Sequence, residues 1–380
     1  MKFWLAIALN LILVPCPSVF AADGFQISYL GDHGLTAWSV ENNCEVEFDN
    51  GELLLKSGDG WLRSHHTYRD FHMHLEWKAL KEAKYDAGIY IRAQKPGAPF
   101  PKQAYQINLL DGKEGHIGNL PGATTEGLIR NGDWNAFDIT VRGETVALKV
   151  NGKSAYRVDG LKIPEGYIGI QIEVPNGGQF RFRNIHVTEF GFESLLEKNE
   201  LAHWEGAGQP PEACWELTDG ILTCVKPKGP WLRSKLEYGD FNLRLQYRVQ
   251  LGGNSGVYVR VPHDGNHHRD KDSQPPAGFE VQILDDTAKR YRNLKDYQFS
   301  ASVYDIAGAS PRVCRPHGEW NTLEIDCQGS TVRTIHNGVE VVHVTPETHP
   351  AIQLRQTRGY LGLQNHGVGV SFRDLRIQAD

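Results

Sequence analysis

The residues best suited to chemistry stand at alternate positions of short strand-like segments. In GFEVQILD, Glu280 and Gln282 alternate with apolar residues, and in VYVRV, Tyr258 and Arg260 do the same. Side chains of a β-strand point alternately to its two faces, so each polar pair is expected on one face. A carboxyl, an amide, a phenol and a guanidinium together offer donors and acceptors, and the carboxyl can also move a proton.

A third segment extends the same pattern. In GYLGLQNHG, Tyr360, Gln364 and His366 are expected on the polar face. Sugars suit such a surface, because their hydroxyl groups need donors and acceptors and their C–H faces stack on aromatic rings. The pattern favours a polar ligand cleft over an ordinary solvated sheet face.

The elements that carry these residues occur twice in the chain. Residues 23–190 and 191–380 contain matching segments in the same order, without a Pro/Ser linker between them, so we predict two tandem domains that pack directly together. The matched pairs are GWLRS and PWLRS, DAGIYIR and NSGVYVR, YQINLLD and FEVQILD, GDWNAFDI and GEWNTLEI, and GYIGIQ and GYLGLQ.

The first copy keeps only part of the polar set. Tyr90 and Arg92 match Tyr258 and Arg260, but Gln106 stands where the second copy has Glu280. We therefore expect Tyr90, Arg92 and Gln106 to bind polar ligands without a proton-transfer carboxyl.

Short segments of period two, separated by Gly, Asn or Asp, fill both copies. No long segment of helical period follows residue 22. This pattern predicts an all-β protein made of two antiparallel sandwiches or jelly rolls.

Composition and the N-terminus limit the possible partners and location. The net charge of −6 over 380 residues argues against a nucleic-acid partner. Residues 1–22 read as a secretory signal peptide, and no later apolar run is long enough for a transmembrane segment. The expected location is periplasmic or secreted.

The cysteines and histidines leave alternatives open. Cys214 with Cys224, and Cys314 with Cys327, could form disulfides, or all could be buried thiols. No cofactor is certain, and no metal ligands are assigned. A divalent metal is possible at the histidines of HMHLE (72–76) or in the loop HDGNHHRDKD, for which an exposed polar face and a solvated loop are the favoured readings.

The second copy resembles the 3-keto-disaccharide hydrolase domain family. The resemblance rests on NSGVYVR, GFEVQILDD, GEWNTLEI, HNGVEVV and GYLGLQNHG followed by VSFRDLRI, in this order. It covers nearly all of residues 191–380, and the first copy is similar more loosely. The resemblance implies a concanavalin A-like, laminarinase-like jelly roll and cleavage of glycosides oxidised to a ketone at sugar carbon 3.

Such a ketone acidifies the hydrogen on carbon 2, so one base, one cation or metal and one acid are enough to expel the substituent on carbon 1. By this chemistry His366 or Glu280 is the expected base. Arg260 is expected to stabilise the oxyanion or bind hydroxyls, and Tyr304 to donate a proton or line the cleft. The expected substrate-binding residues of the second copy are Asn254, Tyr258, Gln282 and Gln364.

Two other functions fit the same residues. A non-catalytic pair of lectin-like domains would also use a carboxylate in its binding site. A conventional glycoside hydrolase would need a second carboxylate near Glu280, contributed by another strand. In each case the expected partner is an oligosaccharide or glycoside.

Overall fold

The computed structural model describes residues 24–30, 34–197, 200–226, 229–367 and 369–379, and the fold there is all-β without an α-helix. The predicted signal peptide lies outside these residues. Within them, no helix has the length and apolar character needed to cross a bilayer.

Eleven strands form the first domain. They are β1 (Gly24–Ser28), β2 (Trp38–Asp49), β3 (Glu52–Tyr68), β4 (Phe71–Ala79), β5 (Gly88–Ala93), β6 (Tyr105–Asn108), β7 (Asn135–Arg142), β8 (Thr145–Val150), β9 (Lys153–Asp159), β10 (Gly166–Val174) and β11 (Phe180–Phe190).

Thirteen strands and four short 3₁₀ helices form the described part of the second domain. The strands are β12 (Glu193–Ser194), β13 (Trp204–Gly206), β14 (Trp215–Thr218), β15 (Ile221–Cys224), β16 (Leu232–Tyr238), β17 (Phe241–Val249), β18 (Asn254–Val261), β19 (Phe279–Leu284), β20 (Asn321–Gln328), β21 (Thr331–His336), β22 (Val339–Val344), β23 (Gly359–Leu363) and β24 (Val370–Ala379). The 3₁₀ helices are Pro211–Ala213, Lys289–Tyr291, Asp296–Gln298 and Pro350–Leu354.

Antiparallel pairing builds a sandwich in each half. In the first domain the curled sheet runs β6-β5-β10-β3-β11-β4-β7-β8-β9, and the long strand β3 joins its two layers by pairing with both β10 and β11. In the second domain the layers are separate sheets, β14-β15-β24-β17-β20-β21-β22 and β13-β16-β23-β18-β19. The predicted all-β class with two tandem jelly-roll sandwiches is confirmed.

Alternating sequence fills the space between the layers. In β4, Phe71, Met73, Leu75 and Trp77 are buried while the residues between them are half-buried. Each domain has its own large apolar cluster, one within residues 27–187 and one within residues 195–377. Burial of these side chains is the main source of folding free energy.

A buried ionic network joins the domains, in agreement with direct packing. Glu189 of β11 accepts hydrogen bonds from Arg244 (2.9 Å) and Arg376 (3.0 Å), and His66 of β3 lies 2.6 Å from Glu324. Burial alone would raise the pKa of Glu189, but the Arg376 and Arg244 guanidiniums outweigh it and lower the pKa to about 2.

The cysteines of the described residues are free thiols. Cys214, Cys224 and Cys327 are buried, and Cys44 and Cys314 are half-buried. Neither candidate disulfide is formed, so the alternative of unpaired thiols describes this structure.

Candidate active site

A polar cavity of about 230 Å³ lies on the β13-β16-β23-β18-β19 sheet of the second domain. Strand and loop residues converge there from five parts of the chain. The lining comprises Asn254, His267, His268, Glu280, Gln282, Leu284, Tyr291, Leu294, Gln298, Tyr304, Gln364 and His366. The structure therefore brings together six of the predicted site residues: Asn254, Glu280, Gln282, Tyr304, Gln364 and His366.

Glu280 is the most deeply buried acid of this cavity. It is 4% exposed, and its strand β19 pairs with β18 so that Glu280 faces Tyr258 and Gln282 faces Gly256. A Cβ at Gly256 would stand 2.1 Å from Glu280 Oε1, so only glycine leaves room for the carboxyl. Burial, followed by the charge of Asp305, raises the pKa of Glu280 to about 8.

Among the described residues, His267 is the one whose ring nitrogen approaches the Glu280 carboxyl. The two side chains approach to 3.5 Å between Nε2 and Oε2. His267 Nδ1 lies 3.0 Å from the carbonyl oxygen of Gly265, which can only accept, so Nδ1 carries the hydrogen and Nε2 of the neutral ring has a free lone pair. Burial lowers the pKa of His267 and keeps the ring neutral.

Aromatic rings hold His267 in place. Its ring stacks on Tyr258 at 4.7 Å between centroids, and the indole of Trp231 meets Tyr258 edge-on at 5.2 Å. His268 lies 4.1 Å from the His267 ring and its Nδ1 is 2.9 Å from Asp305 Oδ2. Tyr258 thus packs against the His267 ring and is not among the residues that line the cavity.

Amide side chains form the floor of the cavity. Gln364 Nε2 donates to the Tyr258 hydroxyl at 3.1 Å, and Gln282 Nε2 donates to Asn254 Oδ1 at 3.0 Å. The other end of the Gln364 amide, Oε1, is buried without a hydrogen-bond partner in the described residues. Such an acceptor is costly unless a donor reaches it.

Tyrosine and histidine side chains complete the mouth. The Tyr304 hydroxyl accepts a hydrogen bond from Gln298 Nε2 at 2.8 Å, and the Tyr297 ring packs against it. His366 lines the cavity but is exposed, and it lies after the end of β23. Tyr360, at the start of β23, is not among the lining residues.

Arg260 does not join this cavity. Its guanidinium donates to the carbonyl oxygens of Gly239 and Gly329 and to Asp240 at 3.0 Å. The predicted oxyanion role has no support in this geometry, because every terminal nitrogen is used within the protein.

Arg92 makes the same contacts in the first domain. Its guanidinium donates to the carbonyl oxygens of Arg69 and Gly143 and lies 3.4 Å from Asp70 Oδ1. We call these two arrangements the arginine staples. Since they recur in both copies, their role is structural, and Arg92 is not placed to bind a ligand.

The remaining first-domain counterparts form hydrogen bonds and packing contacts with other residues of that domain. Gln106 Nε2 donates to Gln171 Oε1 at 2.6 Å, and the Gln171 amide nitrogen lies 3.3 Å from Glu173. Tyr90 is buried with Trp61, and Phe100 of the β5–β6 loop packs on this pair. The polar face predicted around Tyr90 and Gln106 therefore satisfies itself internally.

Of the lining residues that the sequence pattern did not predict, His267 is the one that approaches Glu280. It belongs to the loop for which a solvated reading was favoured, yet it is half-buried against Tyr258. The available signal was the difference between copies: the β18–β19 loop spans residues 262–278 and carries two adjacent histidines, whereas the β5–β6 loop spans residues 94–104 and has none.

The histidines of HMHLE have ordinary partners. His74 Nδ1 lies 2.8 Å from Asp138 Oδ1, and His72 Nδ1 lies 3.0 Å from Thr140 Oγ1. Across the part of the chain that the structure describes, no group of three or more His, Cys, Asp or Glu side chains is arranged to hold a metal ion.

Comparisons with known proteins found relatives that each cover half of this chain. A 3-keto-disaccharide hydrolase of Bacteroides thetaiotaomicron is 25% identical over 229 residues, which cover 50% of this chain and 78% of that protein. Two solved glycosyl-hydrolase candidates from Parabacteroides distasonis ATCC 8503 each cover 50% of this chain. The first is 29% identical, with 99% of its chain covered and a TM-score of 0.41; the second is 19% identical, with 94% covered and a TM-score of 0.42.

The family assignment rests on a match that spans both halves. The model of the 3-keto-alpha-glucoside-1,2-lyase-like domain matches residues 27–188 and again residues 191–378. The chain therefore belongs to the 3-keto-alpha-glucoside-1,2-lyase-like domain family and contains that domain twice.

Proposed function

We propose that the second domain cleaves 3-keto-glycosides by removing the proton on carbon 2 and eliminating the substituent on carbon 1, with water adding afterwards. One observation carries the proposal. Buried Glu280 and His267 line the same cavity, and Glu280 Oε2 lies 3.5 Å from His267 Nε2, whose lone pair is free. A ketone on carbon 3 supplies the acidity, so one proton acceptor and one donor are sufficient.

The rest of the cavity suits a sugar ring. Asn254, Gln282 and Gln364 offer amide groups to hydroxyls, and Tyr304 offers a phenol at the mouth. The cavity volume of about 230 Å³ is below the usual range of about 300–1,000 Å³ for drug-sized ligands, so we expect one ring to be enclosed. The name of the Bacteroides relative, 3-keto-disaccharide hydrolase, supports the same substrate class.

Conventional glycoside hydrolysis is the second candidate, because one further carboxyl lies close enough to act on Glu280. The charge of Asp305 contributes to the raised pKa of Glu280, and Asp305 binds His268 on the same side of the cavity. Two carboxyl groups, one of them protonated, are the requirement of that mechanism. An unoxidised disaccharide would then be cleaved as well.

Product analysis by NMR separates the candidates. The purified protein is incubated with a 3-keto-disaccharide or with its unoxidised parent, with and without a chelator. We expect cleavage of the keto sugar alone, and a loss of about 10²–10⁴-fold in Glu280→Gln, because proton transfer by a positioned side chain contributes that much. Glu173→Gln, the same chemical change in the first domain, should leave the rate unchanged.

Other results would redirect the assignment. Cleavage of the parent sugar would favour conventional hydrolysis. Binding of either sugar without cleavage would favour a carbohydrate-binding protein. Loss of activity with the chelator would require a metal ion. Export to the periplasm or medium is part of the proposal and rests on the sequence of residues 1–22.

A further inference from the structure

We propose that Glu280 rests as a neutral acid whose proton is held by Gln364, and that His267 is the base that attacks carbon 2. This inference rests on the proposed function and assigns its two proton-transfer roles. The sequence alone left Glu280 and His366 as alternative bases. The contacts of Glu280 and His267 support a different assignment.

The duplicated strands show which groups face each other. Gln106 is opposite Tyr90 in the β5–β6 pair, and Glu280 is opposite Tyr258 in the β18–β19 pair. In the first domain Gln106 Nε2 donates to Gln171 Oε1 at 2.6 Å. An N–H donor therefore occupies the first-domain position that a carboxyl occupies in the second domain.

The acceptor of that hydrogen bond is retained in the second domain. Gln364 matches Gln171 in the repeated GYIGIQ and GYLGLQ segments, and its Oε1 is buried without a partner in the described residues. Its Nε2 is already used by the Tyr258 hydroxyl. A carboxyl at position 280 can satisfy Oε1 only by carrying a proton, because a carboxylate has no hydrogen to donate.

The charges around Glu280 support the neutral form. Asp305 is negative and disfavours a second negative charge, and Tyr258 opposite Glu280 stays a neutral phenol. No Arg or Lys forms an ion pair with Glu280 among the described residues, where His267 is the partner found. A buried carboxyl without a cation is stabilised in its protonated state.

The groups around His267 support a neutral base. His268 and Arg355 are the basic groups facing it and disfavour a positive charge, while Asp305 favours one. The Gly265 carbonyl fixes the hydrogen on Nδ1, which turns the lone pair of Nε2 towards Glu280 and the cavity. His366, by contrast, is exposed and has no group in the described residues that orients its ring.

These roles give a balanced reaction. His267 Nε2 takes the proton from carbon 2, the C2–H electrons form the C1–C2 double bond, and the C1–O bond breaks. The leaving oxygen takes the proton of Glu280, which releases an alcohol and an unsaturated keto sugar. The imidazolium and the carboxylate that remain are 3.5 Å apart, so one proton transfer restores the starting states without a cofactor.

Exchange at carbon 2 tests the base separately from cleavage. The probe is the 3-keto derivative of 1,5-anhydroglucitol, whose carbon 1 carries no exocyclic leaving group, and the C2–H signal is followed by NMR in D₂O. We expect His267→Gln to slow exchange by about 10²-fold or more, and Glu280→Gln to keep it within about tenfold of the native rate. Glu280→Gln mimics Gln106, so the hydrogen bond to Gln364 is retained while elimination is lost.

The reverse result, with exchange lost in Glu280→Gln and kept in His267→Gln, would overturn the assignment. If the native protein cleaves the 3-keto-disaccharide but its exchange is independent of His267, the proposed function stands and this inference falls. If the native protein neither cleaves nor exchanges, both fall.

The role of Gln364 has a readout that does not require activity. The Glu280 carboxyl is titrated by ¹³C NMR and assigned by difference with Glu280→Gln. We expect its midpoint near the value of about 8 in the native protein, and about half to one pH unit lower in Gln364→Leu, because the acceptor for the neutral form is gone. Gln171→Leu, the matched first-domain change, should not move it. An ionised Glu280 at pH 6, or an unshifted midpoint in Gln364→Leu, would overturn the role of Gln364.

Discussion

At the scale of single residues, strand alternation predicted the correct sheet face for Glu280 but the wrong face for Arg260 on the neighbouring strand. Glu280 faces the cavity as its position in β19 predicts. Arg260 should face the same way as Tyr258, but its φ of 51° is left-handed and the β18–β23 register shifts between Tyr258 and Val261. A bulge changes which face the following side chains occupy, and Arg260 therefore points to its staple.

The arginine staples predict equal effects in the two domains. Arg260→Met and Arg92→Met should each lower the free energy of unfolding by about 2–4 kcal/mol, because buried carbonyl oxygens lose their charged donor. Urea denaturation measures this loss, and the folded fraction of each variant should keep its KM for a 3-keto-disaccharide. A selective loss of kcat in Arg260→Met at native stability would instead return this residue to the active site.

At the scale of elements, the cavity of the second domain depends on strand β18 and on the loop that follows it. Gly256 gives Glu280 its space, and the loop at residues 262–278 brings His267 over Tyr258. The first domain has the equivalent Gly88 opposite Asn108, but its shorter loop places Phe100 on the Trp61 and Tyr90 rings instead. The same strand pair thus frames a cavity in one domain and a closed cluster in the other.

A methyl group at Gly256 should disable the site without unfolding the protein. In Gly256→Ala the new Cβ would overlap Glu280 Oε1, so the carboxyl must shift from its native position. We expect kcat/KM for a 3-keto-disaccharide to fall about 10²-fold, because misplacing a catalytic group by 1 Å costs about that much.

Gly88→Ala is the matched control for this change. Its Cβ would meet Gln106 Nε2 at 2.4 Å, so local stability should fall, but the second-domain rate should not. If Gly256→Ala and Gly88→Ala lost the same activity at equal folded fraction, the effect of Gly256→Ala would not be specific to the position of Glu280.

At the scale of the whole molecule, the two domains are joined by charges that neither could bury alone. Glu189 of the first domain lies between Arg244 and Arg376 of the second, and all three side chains are buried. Glu324 of the second domain binds His66 of the first. Glu189 and Arg376 meet each other only across the interface, whereas Arg244 also pairs with Glu324 of its own domain at 3.3 Å. The interface is therefore expected to couple the unfolding of the two domains.

Removal of one charge tests that coupling. Glu189→Ala leaves two buried guanidiniums short of a partner and should lower the free energy of unfolding at pH 7 by about 3–5 kcal/mol. In the folded protein the pKa of Glu189 is about 2, below its ordinary value of 4.5. The stabilisation by Glu189 is therefore complete above pH 4.5 and is lost as the pH falls towards about 2. Urea denaturation should show the difference from the native protein shrinking below pH 4.5.

An exposed carboxylate provides the comparison. Glu216→Ala on β14 should change stability at pH 7 by less than about 0.5 kcal/mol, because Glu216 is exposed and forms no ion pair with another described residue. If Glu189→Ala were equally mild, the buried network would not hold the domains together.

The amino-acid sequence by itself determined the architecture of this protein, because period-two alternation and ordered internal repeats are local properties of the chain. It also identified Glu280, Gln282 and Gln364 as neighbours, since strand parity fixes which side chains share a face. Only the tertiary structure decided between the cavity and the closed cluster. A bulge directs Arg260 away from the cavity, and a loop places His267 on the Tyr258 ring. The Gln364 side-chain oxygen has no hydrogen-bond donor in the described residues, whereas that of Gln171 accepts from Gln106. The register shift, the loop conformation and the pairing of the amides are set by contacts between strands and loops, which the alternation of polar and apolar residues does not encode.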